Sequence, residues 1–251
     1  MAACVQLRFY AELNDHLPPD QRYKTITRSM LVPSSVKDLI ESCGVPHTEV
    51  ELIVVNGVSV EFSYVVHDGD RIAVYPVFES LDVSPALRVR PSPLRDPRFV
   101  LDVHLGKLAA YMRMLGFDTL YRNCLDDAEL ARISATHHRT LLTRDRGLLK
   151  RGAVTHGYWL RATDSRAQLA EIVHRFDLAR AIRPFTRCMA CNGVLRPVGK
   201  AEVRRELPPR IAEAFDDFRQ CDRCRRVFWQ GSHYRRMQQQ IEQLTAAKQE
   251  S

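Results

Sequence analysis

Four cysteines stand out among the residues able to do chemistry. Cys188-Met-Ala-Cys191 and Cys221-Asp-Arg-Cys224 each put two thiolates on one tight turn. Two such turns make a tetrahedral four-cysteine shell suited to Zn²⁺, and the segment between them is one that zinc ribbons tolerate as an insertion. Four sulfurs leave no open position for a substrate, so this metal is expected to be structural. Cys4, Cys43 and Cys124 are scattered among apolar neighbours and read as small core residues.

A second set of residues is acidic. Asp102 directly follows the apolar run Phe99-Val100-Leu101, and Asp145 follows Leu141-Leu142-Thr143-Arg144. Asp164 follows Tyr158-Trp159-Leu160 after a short loop. Asp126 and Asp127 follow the stretch Phe117 to Tyr121, where a helix begins. Open parallel sheets place their sites beyond the carboxyl ends of the strands. Carboxylates converging there repel one another unless a divalent cation neutralises them. Hard oxygen ligands suit Mg²⁺ or Mn²⁺, which activate water and stabilise the leaving oxygen of a phosphodiester. Capping is the plainer explanation for several of them: Asp126 with Glu129 in a capping box, Asp164 before Ser165, and Asp145 before a short helix through Leu148. Asp102 interrupts an apolar strand end and has no such explanation in the sequence.

Cations accompany both sets. Lys107, Arg113 and Arg144 are candidates for phosphate contact, although Lys107 and Arg113 also suit the solvated side of an amphipathic helix. His104 reads as a surface or bridging histidine. Around the cysteines stand Arg187, Arg219, Arg223, Arg225 and Arg226, then Phe228, Trp229, His233, Tyr234, Arg235 and Arg236. Arginine interleaved with aromatics suits phosphate contact plus base stacking, which nominates Arg225, Arg226 and Trp229. At least one of Phe228 and Trp229 is expected to pack on the knuckles instead.

The elements that must position these residues fall into blocks. Residues 1–82 carry six Lys/Arg against twelve Asp/Glu, a net of −6, and the remainder carries 31 against 18, a net of +13. Such a split suggests separate domains, the second facing a polyanion. The first block runs strand, strand, helix, strand, strand, with Ser34-Ser35 capping the helix and Asn56-Gly57 marking a hairpin. Pro85, Pro91, Pro93 and Pro97 mark a linker at 83–97. Short apolar strands then alternate with helices over 98–184, the pattern of a parallel sheet flanked by helices. A cysteine- and arginine-rich ribbon follows at 185–237 and a polar tail at 238–251. The fold class is therefore α/β: a β-grasp domain at 1–82, a parallel-sheet domain and a zinc ribbon. The chain has no run of about eighteen apolar residues, so no membrane span is expected. Its start reads as an alternating strand rather than a signal peptide, so a cytoplasmic location is expected.

Residues 1–82 resemble the ubiquitin-like sulfur carriers in Val5 to Phe9, Val54-Val55-Asn56-Gly57 and the run from Asp68 to Pro76. The chain continues past Tyr75 as Pro-Val-Phe-Glu-Ser without the terminal diglycine that carrier chemistry needs. The fold is retained and the activity is not. Residues 99 to about 237 resemble the Mut-seven C-terminal RNase family, a PIN-like nuclease fused to a zinc ribbon. The matching stretches are Asp102 to Ala109, Arg113 to Asp118, Leu142 to Arg146, Arg187 to Asn192, Cys221 to Cys224 and Trp229 to His233. That resemblance implies a ribonuclease holding Mg²⁺ or Mn²⁺ on Asp102 and Asp145 with Asp127 or Asp126, and with Asp164 as the weakest match. RNA is the implied partner, and a protein could dock on the N-terminal domain. The alternative is a non-catalytic RNA-binding adaptor built on the same ribbon.

Overall fold

The computed structural model describes residues 3–76, 89, 97–232, 234–235 and 237–239. Most of the linker read at 83–97 and most of the tail read at 238–251 lie outside these residues.

In the N-terminal block, β1 (Ala3–Phe9), β2 (Thr25–Met30), α1 (Val36–Ser42), β3 (Val50–Val55), β4 (Val58–Ser59) and β5 (Arg71–Pro76) follow in order. The strands form one sheet in the order β2-β1-β5-β3-β4, with β1 and β5 parallel and the other pairs antiparallel. Val5, Leu7 and Phe9 alternate inward and pack with Ile40 and Ile53 into one core. Asn56 and Gly57 both have positive φ, +51° and +87°, as a tight hairpin turn requires. Asn56 also closes the far loop, because its Nδ2 donates to Asp70 Oδ1 at 2.8 Å and its Oδ1 accepts from Arg71 N at 2.9 Å.

The middle of the chain alternates as its sequence predicts: β6 (Arg98–Leu101), α2 (Gly106–Met114), β7 (Asp118–Leu120), α3 (Asp127–Thr136), β8 (Thr140–Thr143), α4 (Arg146–Leu149), β9 (Gly157–Trp159) and α5 (Ser165–Arg175). β6 pairs parallel with β7, and β8 with β9. The ribbon contains β10 (Leu195–Val198), α6 (Lys200–Val203), α7 (Pro209–Ala214), β11 (Phe218–Cys221) and β12 (Val227–Trp229). Its three strands form an antiparallel sheet in the order β10-β11-β12. Two of the cysteines read as core residues are not in a core: Cys4 and Cys124 are exposed, and Cys43 alone of the three is buried. Cys4 lies on a strand face turned to solvent and Cys124 in the turn before α3.

By contacts the chain forms two compact units. One joins Met1–Asp96 with Leu125–Leu160, and the other joins Pro97–Cys124 with Arg161–Ser251. In the first unit the acidic N-terminal block grips the α4–β9 segment through polar groups. Glu49, 2% exposed, accepts from Trp159 N at 2.7 Å and faces His16 Nε2 at 2.9 Å. Arg146 donates to the His16 carbonyl and lies over the Trp159 ring. Lys150 donates to the Glu41 carbonyl, and His47 Nε2 bonds the Val154 carbonyl. Removing a buried carboxylate leaves its partners unpaired, at a cost of about 3–5 kcal/mol. Glu49→Ala is therefore expected to lower the denaturant midpoint of the full chain markedly, and Glu49→Gln, which keeps an acceptor for Trp159 N, to lower it less. Equal midpoints for Glu49→Ala and the parent chain would show that the grip contributes nothing.

Candidate metal centre and nucleic-acid surface

The two CxxC turns are built alike. Cys188 N donates to the Gly193 carbonyl and Asn192 N to the Cys188 carbonyl; in the second turn Cys221 N donates to the Arg226 carbonyl and Arg225 N to the Cys221 carbonyl. Each turn closes on a residue in the left-handed region, Asn192 at φ +68° and Arg225 at φ +62°. That conformation folds the chain back tightly enough to bring both sulfurs to one side. Gly193 is needed for a different reason: a Cβ there would lie 2.6 Å from Cys221 Sγ. The four sulfurs all lie within 4.8 Å of one another, with Cys188–Cys224 at 3.7 Å and Cys191–Cys221 at 3.4 Å. A tetrahedron with Zn–S bonds of about 2.3 Å has edges of about 3.8 Å, so these residues fit zinc. Burial pushes the Cys188 thiol up to about 12. Zinc would offset that cost by neutralising the thiolates.

The first knuckle is fastened to the helix–strand layer by a polar network that the sequence did not announce. Arg113, read above as a phosphate ligand, is only 4% exposed. Its Nε donates to the Thr119 carbonyl at 2.9 Å, and its Nη1 donates to the carbonyls of Met189 at 3.0 Å and Ala190 at 3.1 Å. Burial lowers its pKa, and Cys188, Cys191 and Asp118 act in the opposite direction. Its Nε and Nη1 donors are spent on protein carbonyls and the side chain is buried, so the structure makes Arg113 a positioning residue for the knuckle rather than a phosphate contact. Asn192 completes the join, accepting from Thr119 N at 2.9 Å and donating to Asp118 Oδ1 at 2.7 Å, while Arg187 pairs with Asp118 at 3.5 Å. Gly116, at φ +97°, gives the chain room, since a Cβ there would collide with the Arg183 carbonyl. Arg113→Met keeps the length and loses the donors. It is expected to destabilise the chain by about 3–5 kcal/mol and to weaken zinc retention, read by thermal melting and by zinc release to a colorimetric chelator. Arg113→Lys should rescue poorly because an ammonium cannot fork between separated carbonyls.

Asp102 and Asp145 closely follow β6 and β8, Asp126, Asp127 and Asp164 stand at the starts of α3 and α5, and most of the five are caps. Asp102 Oδ1 accepts from Val103 N at 2.6 Å and caps a 3-10 turn Val103–Leu105. Asp126 Oδ1 accepts from Glu129 N, Asp145 Oδ1 from Gly147 N, and Asp164 Oδ1 from Arg166 N and Ala167 N. The Ala167 and Arg166 amides hold the Asp164 carboxyl below its ordinary value. Asp127 Oδ2 instead faces Arg151 at 3.6 Å. Glu129 turns its carboxylate to Arg132 in a two-pronged pair. Each cap uses one carboxylate oxygen, and a carboxylate has about four acceptor positions, so a cap by itself does not exhaust the group. Among the described residues, the four cysteines are the group of metal-ligating side chains whose donor atoms come together.

The remaining candidates are spread over the surface. Lys107, Arg144, Arg225 and Arg226 are exposed, and Trp229 is half-buried. Arg144 offers its carbonyl to Trp159 Nε1 at 3.2 Å, which anchors its backbone. Two residues with no sequence signal support the Asp102 turn. Tyr121 donates from its hydroxyl to the Val103 carbonyl at 2.8 Å, and Gly106 leaves room for that ring, since a Cβ would lie 2.8 Å from the Tyr121 oxygen.

A family model described as the Mut7-C RNAse domain matches residues 97–241, more than half of the 251 residues. The chain belongs to the Mut7-C RNAse domain family. A second model, described as Mut7-C ubiquitin, matches residues 2–82. No curated protein and no solved structure matches the chain. The N-terminal sheet of this Mut7-C chain is of the ubiquitin-like type, its central strands run parallel, and its four-cysteine cluster is compatible with a zinc ribbon. Among the described residues no helix is long and apolar enough to cross a membrane.

Proposed function

We propose that this Mut7-C chain is a metal-dependent ribonuclease that hydrolyses RNA phosphodiester bonds at an acidic, PIN-like site in residues 98–184. The observation that carries this reading is the RNAse-domain match over a segment whose acids follow the ends of parallel strands. Asp102, Asp127 and Asp145 would hold the ion, with Asp126 and Asp164 in support, and an all-oxygen donor set suits Mg²⁺ or Mn²⁺. When bound, such an ion supplies an activated water and offsets charge at the leaving oxygen. The chain's own part is orientation: capping amides fix Asp102 and Asp145, Arg151 faces Asp127, and the exposed cations Lys107 and Arg144 attract the phosphates. The ribbon at 185–237, with Zn²⁺ as its staple, presents Arg225, Arg226 and Trp229 to the strand. The ubiquitin-like domain at 1–82 has its own chain as its first partner, because Glu41, Glu49 and His16 already engage the α4–β9 segment. A cytoplasmic location completes the reading, since cysteine pairs that hold a metal rather than a disulfide suit a reducing compartment.

A non-catalytic RNA-binding adaptor is the second reading, favoured by the capping of four of the five acids. Cleavage of a labelled single-stranded RNA by the zinc-loaded full chain separates the two. Cleavage that requires added Mn²⁺ or Mg²⁺ supports the nuclease. Binding without cleavage in either ion makes the chain an adaptor.

A further inference from the structure

The ribbon carries a groove of about 1070 Å³ that the acidic site does not use. We propose that this groove is a stacking channel for the bases of single-stranded RNA. The proposal rests on the ribonuclease reading only in taking RNA as the ligand.

The aromatic residues of the groove's lining are Tyr111, Phe185, Phe215, Phe218, Phe228, Trp229 and Tyr234, of which all but the buried Phe218 are half-buried and keep part of their surface exposed. Phe185 and Tyr234 stand 4.1 Å apart between ring centroids, tilted by 34°. Phe185 has φ +58°, a left-handed conformation that is uncommon for a bulky residue. Two hydrogen bonds hold it there: Phe185 N donates to the Met114 carbonyl at 3.1 Å, and Arg219 Nη1 donates to the Phe185 carbonyl at 3.3 Å. A ring held in a costly backbone conformation at the wall of a groove is what strain at a binding site looks like. Gly231 keeps the indole edge clear, since a Cβ there would lie 3.0 Å from Trp229 Nε1.

Charge selects the occupant. Residues 185–237 hold twelve Lys/Arg against six Asp/Glu, a net of +6. Arg187 and Arg219 line the groove, with Asp217 as its one acidic wall residue among those described. An apolar peptide would gain nothing from that charge, whereas an unpaired strand offers flat bases to the rings and phosphates to the arginines. A duplex keeps its bases stacked inside and cannot enter.

The test uses the full-length, zinc-loaded chain without added Mg²⁺ or Mn²⁺, so that binding is read apart from cleavage. Three fluorescent RNAs of about 12 nucleotides serve as probes: an oligoadenylate, an abasic strand of equal length and a blunt duplex. The oligoadenylate should bind at least about tenfold tighter than the abasic strand, and Tyr234→Ala should weaken it by about 5- to 150-fold. Zinc content and melting temperature of that variant should match the parent. Equal affinity for the abasic strand overturns the channel, as does a Tyr234→Ala chain of intact fold that binds like the parent. Base-dependent binding in a chain that never cleaves sinks the nuclease reading and leaves the channel standing. Cleavage with base-independent binding does the reverse.

Discussion

Replacing Cys188 or Cys221 by serine, or stripping the metal with a strong chelator, is expected to unfold the ribbon while the ubiquitin-like core survives. The reason is how little apolar material the ribbon owns. Around the knuckles the buried cluster is Cys188, Leu195 and Cys221, with Cys191 and Phe228 against it, so three of its five members are themselves ligands. The second cluster also has three buried members, Val203, Leu207 and Phe218, and the six apolar residues against them are only partly buried. Structural zinc supplies about 10–16 kcal/mol of apparent binding free energy in domains of this kind, more than such clusters can replace. The N-terminal core, by contrast, is a continuous set of seventeen buried apolar residues built mostly of aliphatics. Limited trypsin digestion reads the difference. The many arginines of 185–237 should become cleavable in the zinc-free chain, while a fragment containing residues 3–76 persists. Zinc uptake by the parent should approach one ion per chain. A serine variant that resists trypsin and melts like the parent would show that the four sulfurs do not staple this segment.

Most of the secondary structure was legible because it is locally encoded. Alternation gave β1, the apolar runs gave β6, β8 and β9, and the Asp126, Asp145 and Asp164 caps were readable from their spacing to the helices they start. What escaped was long-range or conformational. Asp102 looked unexplained because its cap opens a 3-10 turn with no periodic signature. Arg113 sits at a helical position that suits solvent as well as burial, and its carbonyl partners Met189 and Ala190 lie about seventy-five residues away. α6 and α7 occupy the charged, proline-containing stretch between the cysteine pairs, where neither shows an apolar stripe long enough to read. No pattern announces that Glu49 meets Trp159, since the pairing exists only once the 3-10 turn before β3 and the strand β9 have both formed. The four cysteines were legible for the opposite reason: the chemistry of a thiolate pair is local to its own turn, and each turn builds itself.

Asp102→Asn is expected to abolish cleavage, by about 10³-fold or more, with no loss of stability. Several kcal/mol of transition-state stabilisation come from a bound divalent ion, and each 1.36 kcal/mol is a factor of ten, which sets that scale. The choice of asparagine is what makes the experiment decisive. Asparagine caps about as well as aspartate, so its Oδ1 can still accept from Val103 N and the turn that follows β6 should persist. The substitution removes a charge and a cation ligand while keeping the shape. Asp102→Ala would lose the cap as well, at about 0.5–2 kcal/mol, and would blur the two roles. Asp145→Asn is the matched second case, because its carboxylate also caps through one oxygen, to Gly147 N. Asp164→Asn is the contrast. Its carboxylate accepts from two amides, and the same groups hold its pKa down, so its work is already accounted for by the start of α5. Single-turnover cleavage in Mn²⁺, beside melting curves for each variant, separates the possibilities. Loss of cleavage at 102 and 145 with little change at 164, and unchanged melting throughout, places the ion on the first two. If Asp102→Asn and Asp145→Asn both cut at the parental rate, these acids are caps and nothing more.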